Sequence, residues 1–299
     1  MVGGYSMNRQ RKVKNRQDRW YYLFCYTVVT ILTLIVLYPV VFIIAASVSN
    51  SNMVIQGQVW LWPKEFTLKA YELVLERPQI WTGYRNTILY TAGGTLINLV
   101  ITLMCAYPMA RKNLPGRNII MFIFSFTMMF SGGMIPTYML VKNLGIMNTY
   151  WSIVLPGAMS VYNMIVCRTF IETNIPDEML EAAQIDGCNN TQFFFQMVLP
   201  LSKAIIAVLA LWYGVAHWNA YFNAFLYLRE SDKYPLQIFL KEILVQSERM
   251  GGADMVEQST IYETLKYSVI VISTAPLFCV YPFVQKYFQE GVMVGGVKG

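Results

Sequence analysis

Charge is scarce in this sequence. Asp, Glu, Lys and Arg make up 13% of its 299 residues, whereas a soluble globular domain carries about 25%. Hydrophobic residues make up 56%, and they are concentrated in long runs that contain no charged residue. A helix needs roughly 20 such residues to cross the hydrocarbon of a bilayer. The composition therefore excludes an ordinary soluble protein and predicts a protein that lies within a membrane.

The sequence also lacks the motifs of enzymes, metal sites and nucleotide sites. Its one histidine, His217, has no cysteine or carboxylate near it in sequence, so we predict a packed or hydrogen-bonded helix residue. The five cysteines match no zinc or redox spacing and are predicted to be free thiols. The glycine-rich end 291–299 does not match a phosphate-binding loop, because Val297 stands where that loop has its lysine. We expect neither catalysis nor a metal or cofactor in this chain.

The uncharged runs divide the chain into six predicted spans, at 21–47, 86–110, 118–141, 150–167, 204–228 and 267–284. We therefore predict an all-α fold, a membrane bundle of six transmembrane helices that occupies residues 21–290. Small residues and a proline interrupt two spans, namely Gly93-Gly94 in the second, and Gly132-Gly133 with Pro136 in the third. Small residues of this kind let helices approach each other closely in lipid.

Basic residues set the expected orientation of the bundle. Six of them lie in the arm 1–20, and Arg111, Lys112 and Arg117 lie between the second and third spans. Short segments rich in Lys and Arg stay in the cytoplasm, so we place the arm and this turn there. With six spans, the tail 291–299 and the polar segment 168–203 are cytoplasmic, and 229–266 lies outside. This orientation explains the net charge of +6, so we expect no nucleic-acid partner.

The predicted spans contain no Asp, Glu, Lys or Arg. Ion-coupled carriers commonly keep such residues in the membrane as relays, because they are costly there and are retained for function. Their absence indicates that another protein supplies the energy, or that there is no coupling at all. An ATP-independent channel or secondary carrier is the alternative function. A membrane enzyme acting on lipid-linked sugars is a third, and it would need a catalytic carboxylate or metal cluster that the sequence does not offer.

The cytoplasmic segment 168–203 is predicted to hold a short helix. Asn174 suits its N-cap, Pro176 its first turn, and Gly187 a left-handed stop. Helical spacing places four residues on one face: Met179, Ala182, Ala183 and Asp186. A second short helix is predicted to begin at Asn190 or Thr191 and to end before Pro200. Such an element fits a docking site for a partner. The alternative, an amphipathic helix lying on the inner leaflet, is disfavoured because anionic lipids repel acidic side chains.

At this segment the chain resembles a known family. Glu181-Ala182-Ala183, Gly187 and Leu199-Pro200 follow the spacing of the EAA loop of ABC importer permeases, E-A-A-x₃-G-x₉-I-x-L-P, with Met197 at the isoleucine position. Four further segments resemble the maltose-type (MalG-like) carbohydrate permeases: Asn86-Thr87, the run Ala106-Tyr107-Pro108-Met109-Ala110-Arg111, Tyr234-Pro235-Leu236-Gln237, and the ending Gly295-Gly296-Val297-Lys298-Gly299. Together these segments extend the resemblance over most of the chain.

The resemblance implies a type I ABC importer permease in the cytoplasmic (inner) membrane of a bacterium. Its partners would be a second homologous permease, two copies of an ATPase subunit that bind ATP and Mg, an extracytoplasmic solute-binding lipoprotein, and a sugar. The ATPase-coupling residues would be Glu181, Ala182, Ala183, Asp186, Gly187, Leu199 and Pro200. Glu181 would pair with a basic group of the ATPase, the alanines would pack in its cleft, and Gly187 would make the bend. The resemblance leans toward complex oligosaccharides that contain uronic acids.

Aromatic and amide side chains in two spans are candidates for the sugar path. They are Trp218, Asn219, Tyr221 and Asn223 in the fifth span, and Tyr162 and Asn163 in the fourth. In a continuous helix, Trp218 and Tyr221 would share a face, as would Asn219 and Asn223. The alternative for the aromatic residues is an interfacial belt at the membrane surface. The outer loop 229–266 is a candidate contact for the solute-binding protein.

Overall fold

The computed structural model describes residues 16–250 and 256–292 of the chain. Every regular element in these two ranges is helical, which confirms the predicted fold class. The α-helices are α1 (Arg16–Ser47), α2 (Ser51–Ile55), α3 (Lys69–Leu75), α4 (Pro78–Ala110), α5 (Arg117–Met129), α6 (Met134–Asn143), α7 (Tyr150–Val154), α8 (Val161–Asn174), α9 (Asp177–Ile185), α10 (Asn190–Phe193), α11 (Leu199–Leu201), α12 (Lys203–Trp218), α13 (Phe222–Tyr227), α14 (Leu236–Met250) and α15 (Val256–Val292). A π-helical turn, Phe194–Val198, joins α10 to α11.

Three helices are each long and apolar enough to cross a membrane: α1, α4 and the part of α15 from Thr264 to Pro282. Three pairs of helices meet the same test only together, and each pair is bent at a short break. The first bend, between α5 and α6, is 111°. The second, between the segment Tyr150–Gly157 and α8, is 56°, and the third, between the segment Asn190–Leu201 and α12, is 77°. The predicted number of six is reached if each bent pair is one span.

The third predicted span is not one helix. It separates into α5 and α6, with the non-helical residues 130–133 between them. Gly133 has φ +85° and ψ −179°, a conformation that side chains with a Cβ avoid and glycine adopts readily. The glycine pair therefore ends the helix and redirects the chain.

The other predicted limits also needed correction. α4 begins at Pro78, eight residues before the predicted start, because proline is well suited to the first turn of a helix. The fourth span contains a 3₁₀ turn, Leu155–Gly157, and its second helix continues to Asn174, past the predicted end at 167. The fifth span is divided at residues 219–221, and α15 begins before the predicted sixth span. The tail 293–299 and most of the arm 1–20 lie outside the described residues.

α4 is the centre of the bundle. It packs along both α8 and α12. The main core lies between these helices and includes Leu103, Ala106, Met164, Cys167 and Leu209, each buried. Since α8 leads directly into the predicted cytoplasmic segment, this core connects that segment to the middle of the bundle.

Candidate coupling site

The short helix predicted in the cytoplasmic segment is α9, and its start differs from the prediction. Asn174 does not cap it: α8 continues through Asn174, whose side-chain amide donates a hydrogen bond to the Phe170 carbonyl at 2.8 Å. The N-cap of α9 is Pro176, with φ −64° and ψ 159°. A proline disfavours helical backbone at the residue before it, so α8 ends at Asn174, Ile175 is its non-helical C-cap, and α9 begins only after the proline.

The end of α9 confirms the prediction for Gly187. Its φ is +81°, the left-handed conformation. The Cys188 N–H donates to the Ala183 carbonyl at 2.9 Å, and the Gly187 N–H donates to the Gln184 carbonyl at 3.0 Å. These two bonds form a Schellman motif, which satisfies the last carbonyls of the helix. Gly187 therefore fixes the direction in which the chain leaves α9.

The second helix of the segment begins where the sequence predicts. Asn189 forms a capping box with Gln192, and α10 starts at Asn190. The helical segment that begins with α10 does not end before Pro200, which corrects the prediction. The π-helical turn follows α10, and α11 then begins with Leu199 and Pro200. A π turn changes the backbone bonding pattern just before the proline, which has no N–H to contribute. The chain then bends into α12.

The predicted common face of α9 is divided between two environments. Met179 and Ala183 are half-buried and pack against the main core of this same chain, as does Leu180. Ala182 and Asp186 are exposed. The division arises because the apolar side chains of α9 dock the helix on its own bundle.

One face of α9, called the outward face, is not covered by the other described residues of this chain. Helical spacing aligns Glu178, Ala182 and Ile185 on it, and all three are exposed. Ile185 is 87% exposed. Sequence analysis missed Ile185; an isoleucine at the end of a short, acidic helix was the available signal. Glu181 is also exposed and lies between this face and a cavity beside α4.

Arg111 holds the base of α9 against the end of α4. Its guanidinium Nη1 donates to the Ile175 carbonyl at 3.2 Å and to Asp177 Oδ1 at 3.0 Å. The same guanidinium lies over the rings of Tyr107 and Phe193, at 5.1 and 5.5 Å from their centroids. Sequence analysis used Arg111 for topology and for the family resemblance, and it missed this role.

A second ionic cluster joins three helices at the same end of the bundle. Glu172 of α8 accepts from Arg117 Nη2 at 2.8 Å and from Arg168 Nη2 at 3.0 Å. Both arginines also donate through Nε to the carbonyl of Met109, near the end of α4. The cluster therefore ties the ends of α4, α5 and α8 together at the end of the bundle where Arg111 contacts α9.

The four candidate sugar-path residues of the fifth span do not share helix faces as predicted, because α12 ends at Trp218 and α13 begins at Phe222. Trp218 is buried, and its indole N–H donates to the Ser273 carbonyl at 2.9 Å. Asn219 is exposed, and Asn223 is half-buried. Tyr221 is half-buried and stacks on Phe225 with 5.7 Å between ring centroids. Their roles toward a sugar stay predictions.

The two candidates of the fourth span lie at the start of α8. Tyr162 is exposed, with its ring centroid 5.9 Å from that of Trp212. Asn163 is buried, and its backbone N–H donates to the N-cap residue Ser160 at 3.4 Å. Of these two residues, only Tyr162 exposes its side chain to a ligand or a second subunit.

A buried polar network fixes the break in the fourth span. Asn98 Oδ1 accepts a hydrogen bond from His217 Nε2 at 2.7 Å, and Asn98 Nδ2 donates to the Gly157 carbonyl at 2.6 Å. Nearby, the Tyr213 hydroxyl lies 2.7 Å from Thr102 Oγ1. The prediction of a hydrogen-bonded helix role for His217 is confirmed. The network ties α4 and α12 to the turn between α7 and α8.

At the opposite end of α4, two segments of the family resemblance contact each other. Asn86 Nδ2 donates to the carbonyls of Asp232 and Tyr234, at 2.7 and 3.0 Å. Thr87 Oγ1 accepts from the backbone N–H of Leu236 at 2.9 Å. These bonds hold the start of α14, within the predicted outer loop, on α4.

Asn148, between α6 and α7, contacts the predicted outer loop: its Nδ2 donates to Glu230 Oε1 at 2.7 Å. Hydrogen bonds from Lys233 and Asn148 hold the pKa of the Glu230 carboxyl below its ordinary value. The outer end of the fifth span is thereby fixed to the loop before α7.

Comparison with known proteins identifies the family. The family model "Binding-protein-dependent transport system inner membrane component" matches residues 98–294. The polygalacturonan/rhamnogalacturonan transport system permease protein YtcP of Bacillus subtilis (strain 168) is 39% identical over 287 residues, which are 95% of this chain and 100% of that protein. Protein LplC of the same organism is 40% identical over 267 residues, 89% of this chain and 90% of that protein.

A solved structure agrees with this assignment. A crystal structure of a bacterial ABC transporter involved in the import of the acidic polysaccharide alginate contains a chain with TM-score 0.82 and 34% identity. The match covers 92% of this chain and 98% of that one. This chain therefore belongs to the binding-protein-dependent transport system inner membrane components, and it is a multi-pass carbohydrate ABC importer permease with the type I fold, not an enzyme.

Proposed function

We propose that this chain forms half of the translocation path of an importer for acidic oligosaccharides and receives the force of a separate ATPase through α9. The observation that carries the proposal is α9 itself: an outward face exposed to a partner, on a helix whose base is tied to α4 by the Arg111–Asp177 ion pair. The membrane would be the bacterial cytoplasmic membrane, as the family description supports.

The coupling step follows from the two sides of α9. Its outward face, with Ala182 and Ile185, fits a cleft on the ATPase, and Glu181 pairs there with a basic group. ATP and Mg bind to the two ATPase subunits, not to this chain. When the ATPase dimer closes, it moves α9, and the contacts of Arg111 and Glu172 pass the movement to the spans. A second, homologous permease completes the path.

The substrate class is inferred from the relatives. One is named for polygalacturonan and rhamnogalacturonan, and the solved structure concerns the acidic polysaccharide alginate. The predicted spans hold no charged side chain, so selection for uronic acids is assigned to the solute-binding protein, which the outer loop 229–266 contacts. Within the path, neutral side chains such as Tyr162, Asn219 and Asn223 offer rings and hydrogen bonds.

A glycine substitution tests coupling. We expect Gly187→Val to lower binding-protein-stimulated ATP hydrolysis of the reconstituted complex by about tenfold, because the left-handed conformation costs a branched side chain about 1–2 kcal/mol and the exit from α9 is redirected. Oligogalacturonates and alginate oligosaccharides are the sugars to use. Glu181→Ala is expected to act in the same direction.

Gly145→Val is the matched control. Gly145 has φ +70° and no atom within 4 Å of an added Cβ, as is true of Gly187. The backbone strain is thus equal, but Gly145 follows α6, away from α9. If the two valine variants hydrolyse ATP equally well under stimulation, the assignment of coupling to α9 is wrong. If neutral maltooligosaccharides stimulate as strongly as the acidic sugars, the substrate class is wrong.

A further inference from the structure

A cavity of about 600 Å³ lies between the end of α4 and α9, and two residues of the proposed coupling step, Arg111 and Glu181, lie in its wall. Its volume is in the range of pockets that hold small ligands, roughly 300–1,000 Å³. Apolar side chains form much of its wall, among them Met104, Leu114, Phe194 and Phe195. Such a wall fits a hydrocarbon chain.

The cavity also contains polar atoms that are buried and unpaired. Arg111 is 8% exposed and lines the cavity, and its Nε and Nη2 have no hydrogen-bond partner among the described residues. The side chain of Tyr107 lies in the same wall, with its ring beneath the Arg111 guanidinium. A buried charged donor without an acceptor is costly. These atoms therefore indicate a ligand with oxygen acceptors.

Two carboxylates make the charge of the cavity mixed. Asp177 accepts from one N–H of Arg111, and Glu181 lines the same cavity with an exposed side chain. A simple anion placed on Arg111 would meet the repulsion of Glu181. A simple cation beside Glu181 would meet the guanidinium. A ligand with both charges, an acceptor group followed by an ammonium, matches both.

We propose that the cavity binds one phosphatidylethanolamine molecule of the inner leaflet. Its phosphate accepts from Arg111 Nε and Nη2, and an acyl chain follows the apolar wall. Its ammonium approaches Glu181 from the cavity, opposite the outward face that the ATPase covers. Met104 lies seven residues before Arg111, about 10 Å further into the membrane at the rise of an α-helix. Met104 is 63% exposed at this level, which gives the acyl chain access to the hydrocarbon.

Lipid retention by the purified transporter complex tests the proposal. The complex is delipidated in detergent, mixed with vesicles of equal parts phosphatidylethanolamine, phosphatidylglycerol and phosphatidylcholine, and measured by native mass spectrometry. We expect one phosphatidylethanolamine for each copy of this chain. Met104→Trp, which fills the cavity from an exposed position, should lower that occupancy by about tenfold.

Leu96→Trp is the control, since Leu96 is also 63% exposed on α4 but does not line the cavity. Equal occupancy in the two tryptophan variants overturns the site. Preference for phosphatidylglycerol overturns the headgroup assignment, whereas loss of the ethanolamine preference in Glu181→Gln supports it. A photoreactive residue at position 195 should crosslink to lipid, and crosslinking to the ATPase subunit instead overturns the proposal. The assay uses no ATP or sugar, so its outcome is independent of the coupling test.

Discussion

Arg111→Ala is expected to destabilise this permease by about 2–4 kcal/mol, because it leaves Asp177 without its partner in a partly buried ion pair. Breaking a fully buried pair costs about 3–5 kcal/mol, and the partial exposure of Asp177 lowers that cost. The alanine also removes the guanidinium from the rings of Tyr107 and Phe193. With the base of α9 released, stimulated ATP hydrolysis should be lost as well. Both effects are measurable on the purified complex, as the melting temperature by tryptophan fluorescence and as the hydrolysis rate with binding protein.

The neighbouring Lys112→Ala is the control for this prediction. It removes the same formal charge one residue later, but Lys112 is exposed. A surface substitution of this kind usually changes stability by less than about 0.5 kcal/mol. If Arg111→Ala melts at the temperature of Lys112→Ala, the ion pair with Asp177 does not anchor α9.

Gly94→Ala is expected to destabilise the bundle by about 1–3 kcal/mol through overpacking. A Cβ at Gly94 would lie 2.6 Å from Nε2 of His217, which is itself held by Asn98. The ring can move away only by giving up that hydrogen bond. Otherwise α4 and α12 must separate, and either response lowers the stability of the bundle. Thermal unfolding of the purified complex measures the loss.

The same substitution at Gly214 serves as comparison. Its added Cβ would lie 3.8 Å from Thr95 Oγ1, an ordinary contact on the same pair of helices. There the gain in helix propensity, about 0.5–1 kcal/mol, should dominate. We therefore expect the two alanine variants to change stability in opposite directions, and an equal melting temperature would contradict the tight packing at Gly94.

Local features were predictable where one residue type has one conformation available. Gly187 ends α9 in the left-handed conformation, which glycine adopts readily and which is costly for residues that have a Cβ. The apolar runs likewise located the membrane helices, since burial in lipid requires them. The limits of those helices were less predictable: Pro78 starts α4 in a segment that the charge of Arg85 made look polar.

Contacts between distant residues could not be predicted from sequence patterns. Asn86 and Thr87 were recognised as a segment of the resemblance, and so was Leu236, but no pattern in the chain shows that they bond to one another. Arg111 poses the same problem, because its partner Asp177 lies 66 positions away. Pairings of this kind depend on how the helices pack, and the packing is known only from the structure.

The break between α5 and α6 has a consequence for what can lie beside it. α5 has 13 residues and is about 20 Å long at 1.5 Å per residue, shorter than the roughly 30 Å of hydrocarbon. The non-helical residues 130–133 therefore fall at a depth where fatty chains offer nothing to bond peptide groups. Irregular backbone is tolerated there only against protein or a water-filled space. Because residues 130–133 are exposed in this chain, we expect their neighbour in the membrane to be another protein chain or a water-filled route.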